Sequence, residues 1–133
     1  MFKLTRKRKG KGSVILLVED DALLSSMLAD ELKQKGFKVI LVDHGSEVMQ
    51  ALEKVRVDLI LLDLIIPGID GFEVLKLMKG KPKTASIPVV VISNLELAAD
   101  VKSAKVLGAE KYFIKANSSV EEIVDFVQTK LAT

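Results

Sequence analysis

The chain reads as an α/β domain: a five-stranded, doubly wound parallel sheet in the order 2-1-3-4-5, with five helices. Two observations predict this. Five short apolar runs alternate with segments of helical period, the pattern of parallel strands joined by crossover helices. Three of those runs are apolar almost throughout, as strands covered on both faces must be. Right-handed crossovers leave few topologies, and the doubly wound order sets the ends of the first and third strands side by side at its switch point.

Each element has its own signal. The first strand is 14–18 (Val14-Ile15-Leu16-Leu17-Val18), followed by a helix at 22–35 that Gly36 stops. The second strand is 38–42 and its helix 46–55. The third strand, 58–62, leads through a Pro- and Gly-containing loop to a helix at 71–79. The fourth strand is 88–92; Pro88 lacks an N–H for the ladder and fits only its first position. A helix at 96–107 stops at Gly108, and the last strand is 111–114. In the final helix, 119–131, Val120, Ile123, Val124, Val127 and Leu131 form one stripe at helical spacing. Ser118 or Ser119 can cap it, and Glu121-Glu122 suit the positive end of its dipole.

At 133 residues, 49% of them hydrophobic, the chain has the size and core of one domain. No apolar run approaches the length of a membrane span, and no signal-peptide pattern follows the basic start, so a cytoplasmic protein is expected. The absence of cysteine excludes disulfides and thiol chemistry. The net charge of +2 hides an asymmetry: residues 1–12 hold six Lys/Arg and no acid, so the remainder, with 14 basic and 18 acidic residues, is at −4. Such a tail can touch nucleic acid or an anionic membrane. Gly10 and Gly12 loosen it and no aromatic stacking platform accompanies it, so residues 1–12 are expected to be a disordered, solvated leader ahead of a domain at 13–133.

The chemistry points to Asp63. It ends the apolar run Leu59-Ile60-Leu61-Leu62, where a carboxylate is costly unless it is solvated, paired or bound to metal. Glu19-Asp20-Asp21 follow the first strand in the same way. Parallel neighbours would bring these acids together at one sheet edge as a divalent-cation site beside a carboxylate poised for chemistry. Asp21 reads as the cap of the following helix, and Asp70-Gly71 as turn chemistry. His44 is the only histidine, which argues against zinc or a histidine relay within the chain.

Four segments, in order, resemble the receiver domains of bacterial two-component response regulators: Val14 to Asp21 (VILLVEDD), Asp58 to Gly71 (DLILLDLIIPGIDG), Pro88 to Ser93 (PVVVIS) and Gly108 to Lys115 (GAEKYFIK). The likeness spans roughly 13–131, to a stand-alone, chemotaxis-regulator-like receiver with a flavodoxin-like fold. It implies that Asp63 is a phosphoacceptor attacking the phosphorus of a kinase phosphohistidine. It further implies a Mg2+ site with Asp20 as direct ligand, Glu19 acting through water, and oxygens from the Asp63 carboxylate and the Ile65 carbonyl. Lys115 would pair with Asp63 and then with the phosphoryl group. Ser93 would bond another phosphoryl oxygen, and Tyr112 would turn inward as the aromatic switch when Ser93 moves.

Three departures from the family pattern are expected to matter. Ala116 stands where proline commonly follows the lysine, often after a cis bond. A cis bond before a non-proline costs about 2.5–4 kcal/mol, so a trans bond, or else a strained cis one, is expected. Asn94 replaces a small residue and is expected to narrow access to Asp63. Ile65 and Leu95, two past Asp63 and Ser93, can neither orient nor activate a water, so self-dephosphorylation is expected to be slow.

The resemblance therefore implies a single-domain response regulator, a signalling module rather than an enzyme. Its partners would be a histidine kinase or histidine phosphotransfer protein and an output protein, with pairing of two copies on phosphorylation and no direct DNA binding. The family's output face joins the fourth helix, fifth strand and fifth helix, where Phe126 lies off the apolar stripe. Alternatives are a phosphorelay intermediate, or the receiver portion of a longer DNA-binding regulator. The chain's end two residues past its last helix favours the stand-alone form. A haloacid-dehalogenase-type hydrolase would need an Asp at position 65, which is Ile65, and a flavodoxin-like cofactor binder would need a phosphate loop where Glu19-Asp20-Asp21 stand. A receiver-like scaffold that is never phosphorylated would not need the acid, serine and lysine set.

Overall fold

The computed structural model describes residues 12–132, so the expected tail falls outside the described residues except for Gly12. Strands β1 (Val14–Val18), β2 (Lys38–Val42), β3 (Leu59–Leu62), β4 (Val89–Ser93) and β5 (Lys111–Ile114) form one sheet in the order β2-β1-β3-β4-β5. All four pairings are parallel. The predicted order and direction are those observed.

The helices are α1 (Ala22–Gln34), α2 (Val48–Lys54), α3 (Gly71–Lys79), α4 (Pro82–Ala85), α5 (Ala98–Val106) and α6 (Val120–Leu131). The count corrects the expected five. The additional helix, α4, is a single turn with Pro82 in its first positions. The Thr84 hydroxyl donates to the Met78 carbonyl at 2.6 Å, and the Lys79 ammonium to the Ala85 carbonyl at 3.0 Å. Four residues are too few to display a period, so only Pro82 announced it. The second helix begins as a 3₁₀ turn at Gly45–Glu47 and is α-helical only from Val48. Asp58 is not part of β3; its carboxylate accepts from the Val14 amide at 2.8 Å and anchors the start of β1. Pro88 immediately precedes β4, and Ser93 ends it.

Caps follow the expected chemistry. The Asp21 carboxylate accepts from the amides of Leu23 and Leu24, and Ser119 forms a reciprocal capping box with Glu122. Gly36 and Gly108 end their helices with φ of 95° and 114°.

Alternation along the strands sends side chains to two apolar layers. Leu16, Val18, Ile60, Leu62, Val89 and Val91 face α2, α3 and α5; Ile15, Leu17, Leu59, Leu61, Val90 and Ile92 face α1 and α6. The central strands β1, β3 and β4 are buried throughout, which is why they read as unbroken apolar runs, while the edge strands β2 and β5 are partly exposed. Each fully buried Leu or Ile stabilises the fold by about 2 kcal/mol. Rigid central strands are what allow carboxylates to be held at their ends.

Candidate functional site

Register places the acids. Val18 lies opposite both Val42 and Leu62, so Glu19, Asp43 and Asp63 leave the sheet abreast. The amides of Glu19 and Asp63 continue the ladder one step further, donating to Val42 and Val18 carbonyls at 3.0 Å each. On the other side Ser93 pairs with Ile114, which delivers Lys115 to the same edge.

Glu19 and Asp63 are each only 3% exposed, and Asp20 beside them is exposed. The Lys115 ammonium reaches both buried carboxylates: 2.8 Å to Asp63 Oδ2, and 3.1 and 2.9 Å to the two oxygens of Glu19. Asp63 Oδ1 accepts from the Ile65 amide at 3.1 Å, and Glu19 Oε2 from the Asp21 amide at 2.9 Å. Burial pushes the Glu19 carboxyl above its ordinary range, against the pull of Lys115. Burial works against the Lys115 ammonium too, but its bonds to Asp63 and Glu19 outweigh that and raise its pKa. The expected Lys115–Asp63 pair is therefore present, and its sharing with Glu19 is an addition to the sequence reading.

One carboxylate oxygen from each of Glu19, Asp20 and Asp63 lies within 4.8 Å of the others. The donors are hard oxygens without nitrogen or sulfur, a set that suits Mg2+, Mn2+ or Ca2+ rather than zinc. Three carboxylates facing a single ammonium leave this pocket short of positive charge, which a divalent cation supplies. The residues present thus fit such an ion.

Ser93 is fully buried, its hydroxyl accepting from the Leu95 amide at 3.2 Å. Tyr112 donates its hydroxyl to the Leu95 carbonyl at 2.7 Å, tying β5 to the loop after Ser93. Burial raises the Tyr112 pKa, so the phenol stays a donor. Ile65 is 58% exposed and Leu95 half-buried, while Asn94 and Ala116 are exposed. No cis peptide occurs among the described residues, so the Lys115–Ala116 bond is trans, and a 3₁₀ turn at Lys115–Asn117 leads toward α6. Phe126 is half-buried, stacked edge-on against Phe113 at 5.8 Å, so it flanks the core.

The sequence reading missed two glycines that brace the loop after Asp63. A Cβ on Gly71 would sit 2.6 Å from the Asp63 carbonyl oxygen and from Leu64 Cα, so Gly71 does more than make a turn. A Cβ on Gly45 would overlap the Ile69 carbonyl, and the Gly45 amide donates to the Pro67 carbonyl at 3.0 Å. No periodicity marks such backbone contacts; a glycine beside an acid loop is the only available signal.

A family model described as the response regulator receiver domain matches residues 15–128. The chain belongs to the response regulator receiver family. The receiver is 32% identical over 117 residues to the DNA-binding response regulator MtrA of Mycobacterium tuberculosis (strain H37Rv), covering 88% of this chain and 50% of that protein. It therefore spans about half the length of the curated relatives it matches. Among solved structures, the Mn2+-bound form of response regulator Rcp1 is similar at 32% identity and a TM-score of 0.79, with 91% of this chain and 96% of that one covered. The phosphorylated cyanobacterial phytochrome response regulator RcpA is similar at 30% identity and a TM-score of 0.78, with 90% and 91% covered. Among the described residues, no helix of the receiver is long and apolar enough to cross a membrane.

Proposed function

We propose that this receiver accepts a phosphoryl group on Asp63 from the phosphohistidine of a histidine kinase and signals by binding a partner protein in that state. The observation that carries the reading is the buried Asp63 carboxylate, held at 2.8 Å by Lys115 beside Glu19 and Asp20. An Asp63 oxygen forms the new bond to phosphorus as the phosphorus–nitrogen bond of the donor breaks, its electron pair leaving on the imidazole. Lys115 then turns to a phosphoryl oxygen, and Ser93 donates its hydroxyl to another. Movement of Ser93 away from the Leu95 amide loosens the loop that Tyr112 holds, and the ring turns inward.

Mg2+ is the cation we assign; Asp20, Asp63, Glu19 and the Ile65 carbonyl would hold it. When bound it offsets the charge gathering on the transferred group. The Mn2+-bound form of the similar regulator Rcp1 supports a divalent ion for this receiver. We read the protein as a cytoplasmic signalling module that promotes its own phosphorylation and slow dephosphorylation, with no outside substrate to turn over. Two copies pairing on phosphorylation, and onward transfer to a histidine phosphotransfer protein, are compatible outputs. A second reading, that this chain corresponds in role to the receiver portion of a longer DNA-binding regulator, has its own support: the DNA-binding relatives are about twice as long as the aligned region. DNA contact by the receiver itself is not part of the proposal.

The test is incubation with Mg2+ and acetyl phosphate or beryllofluoride, comparing wild type with Asp63→Asn by NMR. Shifts at Ser93 and Tyr112 that require Asp63 are expected. An identical response in the variant sinks the reading.

A further inference from the structure

Residues 64–70 run from Asp63 to α3 without regular secondary structure, and they include the Ile65 amide that bonds Asp63 Oδ1. Such a segment has no ladder of its own, so neighbouring backbone must hold it in one shape. The Leu64 carbonyl is fastened locally, by the Gly71 amide at 3.0 Å. Among the described residues, one backbone hydrogen bond ties 65–69 to a distant part of the chain: the Gly45 amide donates to the Pro67 carbonyl at 3.0 Å. Gly45 opens the 3₁₀ turn Gly45–Glu47 after β2. That turn is itself fixed, between the β1–β2 ladder and the fully buried Val48.

Gly45 does not serve backbone freedom. Its φ lies outside the positive region, which among the described glycines Gly12, Gly36, Gly68 and Gly108 occupy. What the position requires is the missing side chain. A Cβ there would overlap the Ile69 carbonyl oxygen and stand 2.7 Å from its carbon, where ordinary contact begins at 3.4 Å. The obstacle is backbone, so no side-chain rotation relieves it. Next along the turn, Ser46 adjoins Gly68: a Cβ on Gly68 would meet Ser46 Oγ at 3.6 Å. Pro67, Gly68 and Ile69 thus rest in succession on Gly45 and Ser46.

We propose that Gly45 is a positioning residue for the cation site. The turn Gly45–Glu47 holds residues 64–70 in the shape that receives the ion, so cation occupancy and closure of the Gly45–Pro67 bond favour one another. This rests on the proposed binding of the ion by the Ile65 carbonyl together with Glu19, Asp20 and Asp63. The carboxylates follow the ends of β1 and β3 and are placed by strand register. The Ile65 carbonyl belongs to the irregular segment, so it is the oxygen whose position depends on the turn. Linkage makes the effect reciprocal: the factor that the closed turn adds to cation affinity is the factor that the cation adds to closure.

An NMR titration of the full chain with Mg2+, wild type against Gly45→Ala, tests this. Affinity is expected to fall by about tenfold to a hundredfold, the usual range for a group that orients a metal ligand. Leu131→Ala removes buried apolar contact at the far end of α6; it controls for lost stability and should bind Mg2+ as wild type does. Amide exchange of the wild-type chain gives a second readout that needs no variant. In EDTA the Gly45 amide should exchange faster than that of Leu17 in β1, and saturating Mg2+ should slow it by about tenfold or more. Wild-type affinity in Gly45→Ala, an equal loss in Leu131→Ala, Gly45 exchange no faster than that of Leu17, or exchange that Mg2+ leaves unchanged would each overturn the proposal. If Gly45→Ala does not fold, the exchange result decides. Neither readout needs a phosphoryl group. A chain that meets both but takes no phosphoryl group on Asp63 from acetyl phosphate fails the functional reading alone. A chain that is phosphorylated while its Gly45 amide ignores Mg2+ fails this inference alone.

Discussion

Replacing Lys115 with Met tests the electrostatic design of the site without touching the acids. The side chain keeps its length and apolar stem and loses the ammonium that serves two carboxylates, each 3% exposed. Removing one partner of a buried pair typically costs 3–5 kcal/mol. Here Lys115 is 15% exposed, and Glu19, already pushed up by burial, can take a proton, so the expected loss is about 3 kcal/mol at neutral pH. That corresponds to a fall in Tm of roughly 10 °C for a domain of this size. The sign in pH is determined. The Lys115 pKa is raised in the fold, so its contribution is fully present below the ordinary 10.5 and disappears only as pH rises through the higher folded value. The Glu19 pKa is also raised, so what the protonated carboxyl contributes is present on the acid side and is lost as pH rises through its folded pKa. The variant is therefore weakest at neutral pH and closest to wild type in mild acid. Urea unfolding at both pH values, with and without Mg2+, measures this, and added Mg2+ should recover part of the loss. Wild-type stability in metal-free neutral buffer, or a loss undiminished in acid, would refute the reasoning.

Gly71→Ala should destabilise by about 1–3 kcal/mol and weaken cation binding, because the new methyl meets backbone at 2.6 Å; an unchanged urea midpoint would count against this bracing role. Ile65→Gln supplies an amide at an exposed position beside Asp63, so the phosphorylated protein should lose its label several-fold faster than wild type, whose decay is expected to be slow. His44 bonds the Asp43 carboxylate at 2.9 Å, which holds its pKa above 6.5 and that of Asp43 below 3.8. The pair forms below the histidine pKa and is lost as pH rises through it. Asp43→Asn should move the midpoint of this single histidine downward by NMR, and an unmoved midpoint would exclude the pair.

Most of the fold was legible because its signals are collective. Ile60, Leu61 and Leu62 could be read as a doubly covered strand from apolar continuity alone, and Ser119 and Glu122 as a cap from their spacing. Alternation of such units, with right-handed crossovers, then left few strand orders. What escaped was local. The turn Pro82–Ala85 is shorter than a helical period, and Asp58 looked like the start of a strand because its bond to Val14 crosses 44 residues. At the site, the acids could be placed because strand ends are predictable. The bracing by Gly45 and Gly71 could not, because a missing Cβ leaves no pattern until the neighbouring backbone is in view.

The shared lysine bears on why this site suits a cation. Glu19, Asp20 and Asp63 against Lys115 leave a formal charge of −2 on the cluster, three carboxylates less one ammonium. In the resting form the single ammonium serves both buried acids. If Lys115 turns to a phosphoryl oxygen, Glu19 loses its cation while remaining 3% exposed, and a buried carboxylate without a counter-charge is among the costliest arrangements in a protein. Either a proton or a divalent ion must replace the ammonium there. Glu19, Asp20 and Asp63 together offer one hard oxygen each within 4.8 Å of one another, which suits an ion better than a proton on Glu19 alone. On the proposed function, metal dependence would follow from one residue's double duty, and the Glu19–Lys115 bond would be the contact that couples phosphorylation at Asp63 to cation occupancy.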